Sequence, residues 1–128
     1  MKFAKIVFLV AGIYGLITLI PVYFLETYIG VSNPPLITHP EFFYGFLGVA
    51  LAWQFAFLVI ASDPKRYRPF MLVALLEKVG YGAAVIFLFA ANRITLSVVA
   101  PGLVDLILGA LFLTAYLKVV KAFQTVPD

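Results

Sequence analysis

The chain has 128 residues, of which 64% are hydrophobic and 12% charged, with a formal net charge of +3. Ordinary soluble domains are about 45–50% apolar and about 25% charged, so this chain has too few polar residues to cover a water-soluble globule, and its mean hydropathy of +1.09 calls for lipid as solvent. It has no cysteine, which excludes disulfides, thiolate metal sites and cysteine nucleophiles.

Four apolar runs follow one another, at about 3–20, 39–61, 70–91 and 99–120. Each approaches the roughly 20 residues that carry a helix across about 30 Å of hydrocarbon. The runs are continuously apolar and lack the alternation of barrel strands. Backbone groups in lipid must satisfy one another, so these runs predict helices. The fold expected is an all-α, membrane-embedded antiparallel four-helix bundle forming one domain.

The first run opens after Met1-Lys2-Phe3-Ala4-Lys5 and leads into Pro21 with no clean small-x-small cleavage site, so it reads as an uncleaved first span. Ala11, Gly12 and Gly15 give it a small-residue face. Pro21 ends or kinks it. The connection from Pro21 to Thr38 contains Asn33-Pro34-Pro35 but also Val22, Tyr23, Phe24, Leu25, Tyr28 and Ile29. It is too apolar for a free loop and is expected to lie over the outer end of the bundle or in the interface.

Thr38-His39-Pro40-Glu41 has capping-box spacing before the second run, with Pro40 in the first turn. Gly45, Gly48, Ala50, Ala52 and Ala56 predict a close-packing face there. Pro69 opens the third run, and Asn92 is placed to close it in the left-handed conformation. In that run, Val73, Glu77, Tyr81 and Ala84 form the expected inward face, with Gly80 and Ala84 admitting a neighbouring backbone. Pro101 reads as first-turn in the fourth run, whose expected stripe is Gly102, Asp105, Gly109, Phe112 and Tyr116.

Charge predicts orientation. Lys2, Lys5, Lys65, Arg66, Arg68, Lys118 and Lys121 fall on one side, and only Arg93 on the other. Positive residues in short loops stay cytoplasmic, so both termini are expected inside. Attraction to lipid headgroups accounts for these residues, and nothing points to nucleic acid. Tyr67, Phe70 and Phe123 suit an inner aromatic belt.

The residues that hydrocarbon should not hold are Gln54, Glu77, Lys78 and Asp105. A charge at mid-bilayer costs at least about 2.5–3.5 kcal/mol, so such groups turn inward, pair or mark function. Glu77 lies about 10 Å above its helix start, at the depth of Gln54, so the two are expected to face each other, with Tyr81 one turn beyond. Lys78 projects about 100° from Glu77. It either reaches toward Asp105 through water or snorkels to the headgroups. Trp53 packs or lines an apolar pocket. His39 is either a helix-start residue or, with Glu26 and Glu41, part of an outer cavity mouth. One histidine cannot build a zinc site, and no sequence motif predicts a metal, cofactor or catalytic triad.

Thr38 to Gly45, Ala52-Trp53-Gln54, Asp63 to Pro69, Leu76-Glu77-Lys78 and Asp105 to Gly109 together resemble a family of small bacterial four-span membrane proteins. In size and topology the chain is also similar to DoxX-type proteins. The resemblance implies a bacterial inner-membrane location and four spans, and implies no catalytic residue. Three functions are therefore expected to compete. The first is a non-catalytic accessory or self-associating module in the lipid bilayer, packed against copies of itself or a membrane-protein partner. The second is binding or modification of an apolar small molecule (lipid, sterol or quinone) beside Gln54, Glu77, Tyr81 and Trp53, with Glu77 and either Asp105 or Lys78 available for acid–base work. The third is transport by an oligomer.

Overall fold

In the computed structural model, which describes residues 1–125, five helices follow in order: α1 (Lys2–Val22), α2 (Glu26–Ser32), α3 (Pro40–Ser62), α4 (Arg68–Ala90) and α5 (Leu96–Gln124). All but α2 are long and apolar enough to cross a membrane. Large apolar side chains cover their outward faces: Phe87 is 76% exposed and Ile17 68%. Surface of that kind needs acyl chains around it. The chain is a multi-pass helical membrane protein.

The boundaries follow local chemistry with some departures. Pro40 and Pro69 sit in the first turns of α3 and α4, where a missing N–H costs nothing. Asn92 takes φ 56° just past α4, the left-handed conformation that asparagine tolerates. Pro21 does not stop α1, which continues to Val22. Pro101 stands inside α5, not in its first turn, because that helix already begins at Leu96. The expected capping box at Thr38 is not formed. His39 is the cap residue and makes no side-chain cap bond; its Nδ1 pairs instead with the Glu41 carboxylate at 3.0 Å.

The bundle is built from two tightly packed pairs, α1 with α3 and α4 with α5. Each pair is fastened by glycines. A Cβ on Gly12 would stand 2.9 Å from the Gln54 carbonyl oxygen of α3. In the second pair, a Cβ on Gly82 would stand 2.6 Å from Leu106, and one on Gly102 2.6 Å from Val85. Lipid supplies no hydrophobic drive between helices, so close backbone approach and dispersion must hold them. The small face expected on α1 is thus used. Those expected on α3 and α4 are mostly turned outward: Gly45 and Gly80 have nothing within 4 Å of an added Cβ, Gly48, Ala52 and Ala84 are exposed, and Ala50 is the member of the α3 face that is buried. The buried stripes run instead through Leu47, Ala50, Gln54 and Phe57 on α3, and through Met71, Ala74, Lys78, Gly82 and Val85 on α4.

The two pairs meet in an aromatic core. Phe8 of α1 stacks on Phe112 of α5 with centroids 4.2 Å apart, and Phe57 of α3 meets Phe112 edge-on at 5.0 Å. All three rings are fully buried among Ala4, Ala11, Met71, Ala74 and Ala115. Toward the end carrying the Pro21–Thr38 connection the pairs separate. There Phe46 of α3 and Tyr81 of α4 stack at 5.8 Å across an otherwise sparse seam.

The opposite end is basic. Arg68 and Lys65 lie over the Phe123 ring at 4.7 and 5.1 Å, and Lys118 lies over Phe3 at 4.2 Å. The Pro21–Thr38 connection carries the short helix α2, tied to α3 by the Tyr44 hydroxyl donating to Glu26 at 2.7 Å. It turns Phe24, Tyr28, Val31 and Leu36 outward.

Phe8→Ala is expected to destabilise the bundle by about 2–3 kcal/mol, the cavity part of a Phe-to-Ala loss, since the water-transfer part does not arise in lipid. Ile17→Ala, on the outward face, should cost little. Denaturant titration in detergent micelles measures both, and equal losses would contradict the aromatic core.

Candidate functional site

Above the aromatic core, the parting of the two pairs leaves a partly open cavity of about 270 Å³. Its walls are apolar at Leu19, Val22, Phe46, Ala50 and Pro101, and its polar groups come from all four long helices: Tyr14 and Thr18 on α1, Gln54 on α3, Glu77, Lys78 and Tyr81 on α4, Asp105 on α5.

Lys78 is the centre of this polar set. Its side chain is 6% exposed, and its Nζ donates to Asp105 Oδ1 at 3.1 Å. The same Nζ stands 3.5 Å from Glu77 Oε2, an ion-pair distance without hydrogen-bond geometry. The Glu77 and Asp105 side chains are 20% and 16% exposed. Glu77 Oε2 is buried and accepts no hydrogen bond. Beneath, the ammonium lies 5.2 Å over the Phe57 ring, an attraction that strengthens where water is excluded. The floor of the cavity is therefore ionic, and its underside is the aromatic core.

The local sequence explains the arrangement. Lys78 lies on the buried stripe of α4, one turn from Ala74 and Gly82, whose small side chains leave room for its stem. Glu77 occupies the flank of that stripe. Of the two alternatives left by the sequence, the inward one holds, and the contact with Asp105 is direct. The 100° offset between Glu77 and Lys78 does not keep them apart, because the four-carbon stem bends back.

Gln54 corrects another expectation. It does not bond Glu77. Its Nε2 donates to the Ala50 carbonyl at 2.8 Å in its own helix, and its side-chain oxygen lies over the bare α-carbon of Gly15. It borders the same cavity as Glu77 without touching it. Trp53 does not line the cavity; it packs on the core, 6.2 Å from Phe57. The outer-mouth trio is split, since Glu26 is held by Tyr44 while His39 and Glu41 bond each other in the open. None of the three lines the cavity. Nor is the charged floor built to cradle a metal, because the Lys78 ammonium occupies the place between the two carboxylates that a cation would take.

Sequence reasoning missed the α1 wall and, beside Gln54 on α3, Phe46. Tyr14 and Thr18, one turn apart, are the hydrogen-bonding side chains in the middle of an otherwise apolar span, and that pattern was the available signal. Nothing in the sequence singled out Phe46, whose role depends on Tyr81 standing opposite.

Comparison with family models, with curated proteins and with solved structures returns no match.

Lys78→Met leaves two buried carboxylates without their shared counter-ion and is expected to cost about 3–5 kcal/mol of stability. Asp105→Asn leaves Lys78 with Glu77 and should cost less, about 1–2 kcal/mol. Unfolding in detergent separates the two; equal or negligible losses would show that Lys78 is not the bridge.

Proposed function

We propose that this protein binds an amphipathic small molecule from the bilayer in the cavity between its helix pairs. The supporting observation is the composition of that cavity: apolar walls above a floor of Glu77, Lys78 and Asp105, with one buried carboxylate oxygen lacking a donor. Few convergent polar groups in an apolar cleft are the usual makeup of small-molecule sites, and about 300 Å³ is their lower size limit. A polar head fits this volume, with its apolar tail left to lipid. A lipid, sterol or quinone head bearing a hydrogen-bond donor would satisfy Glu77 Oε2. A scaffold-only role explains the Lys78–Asp105 bond but not the space beside it or the buried Glu77 oxygen that accepts no hydrogen bond.

Location and orientation belong to the same proposal. The basic end carries Lys65, Arg68 and Lys118 beside aromatic rings, the pattern of a cytoplasmic interface. Both termini then face the cytoplasm of a bacterial inner membrane, in keeping with the family resemblance, and the cavity lies in the outer half of the bilayer.

Self-association is a second reading, favoured by the outward small residues Gly45, Gly48 and Ala52 on α3 and Gly80 and Ala84 on α4. Such stripes admit another helix closely.

Native mass spectrometry from mild detergent tests both. The expected result is one retained small molecule per chain, lost in Ala50→Phe, which fills the cavity without replacing a charged group. An empty protein, or retention unchanged by Ala50→Phe, would overturn the binding reading. An empty dimer would replace it with self-association.

A further inference from the structure

We propose that the head group this cavity selects is a protonated amine, taken up in exchange for a proton. The inference rests on the binding reading above and specifies its ligand.

The elements that border the cavity carry unequal numbers of positive and negative groups. On α1 the polar groups are Tyr14 and Thr18, on α3 Gln54, and all three are neutral. On α4 are Glu77, Lys78 and Tyr81, and on α5 Asp105. Two carboxylates therefore face one ammonium. Lys78 is committed to Asp105 by its 3.1 Å hydrogen bond. Glu77 is left with a 3.5 Å ion pair to Lys78 through Oε2, an oxygen that accepts no hydrogen bond. The site is complete, in charge and in hydrogen bonding, when one further positive donor sits beside Glu77. A neutral alcohol supplies the hydrogen bond and not the charge. An anionic head supplies neither.

A proton can hold the same place when the ligand is absent. On binding, that proton leaves the Glu77 carboxyl for water, and the ammonium enters. One positive charge departs and one arrives, so the buried set stays neutral throughout. The apolar walls at Leu19, Val22 and Phe46 accept the first carbons of the ligand's chain.

Dodecylamine and dodecanol form the test pair, since they share a tail and differ in the head. An alkylamine, like the lysine ammonium, stays protonated across about pH 6–8. Each is titrated into the full chain in mild detergent. The expected result is saturable binding of both, with the amine preferred by about tenfold or more. Amine affinity should fall toward acid pH, by up to about tenfold per unit for a one-proton exchange, while alcohol affinity stays level. Glu77→Gln and Asp105→Asn should each abolish the amine preference and its pH dependence. Retained alcohol binding in these variants reports an intact cavity. If wild-type protein binds both probes alike, or the preference survives both substitutions, the amine inference is wrong and the cavity reading stands. If neither probe binds saturably, both fail.

Discussion

A charge placed in hydrocarbon must find its opposite within the protein, and the Lys78–Asp105 bond is where this chain meets that requirement. The two residues lie on adjacent helices, α4 and α5, and their 3.1 Å contact holds both side chains on the inward side of the pair. With Lys78 turned inward, α4 presents Ala74 and Gly82 to its neighbours and leaves Leu76 and Phe87 to lipid. With Asp105 turned inward, α5 brings Gly102 and Phe112 to the same side. One polar contact thereby sets which residues the second helix pair can offer the first.

The remaining architecture follows from what lipid does not provide. No hydrophobic force gathers the helices, so contact area and backbone proximity decide the packing. Glycine supplies proximity within each pair, at Gly12 and Gly15 on one side and at Gly82 and Gly102 on the other. Aromatic rings supply area between pairs, through Phe8, Phe57 and Phe112. That core occupies only the basic half of the bundle. In the other half the two pairs leave a space between them, and it is bordered by the charges that could not face lipid. Cavity and ionic floor are thus two results of one packing pattern.

Much of the fold could be read from the residues. Span number, approximate limits, the proline starts of α3 and α4 and the left-handed Asn92 all follow from local chemistry that needs no partner. The identity of the buried polar residues was equally legible, because Glu77, Lys78 and Asp105 are conspicuous in apolar runs. The inward faces of α1 and α5 were read correctly, through Ala11, Gly12 and Gly15 and through Gly102, Gly109 and Phe112; what could not be read was which side of α3 and α4 faces inward. Adjacent residues differ by about 100° in direction, and spans that are apolar all round give no periodic signal to choose between them. Hence the stripe through Val73 and Glu77 was expected where the stripe through Ala74 and Lys78 is buried, and the small residues of α3 were expected inside where several face out. Gln54 was matched to Glu77 by depth, which was right for the shared cavity. Depth could not show that Gly15 offers the amide a place to lie.

Packing of α4 on α5 and the ionic floor of the cavity both depend on Lys78 reaching inward to Asp105. Magic-angle-spinning NMR of the protein in lipid bilayers can measure this directly, through dipolar recoupling between a ¹⁵N label at Lys78 Nζ and a ¹³C label at the Asp105 carboxyl. The structure predicts strong dephasing, in keeping with an N–O separation of 3.1 Å. Absence of dephasing, with the Lys78 ammonium in contact with headgroup water, would contradict it and place the lysine at the membrane surface.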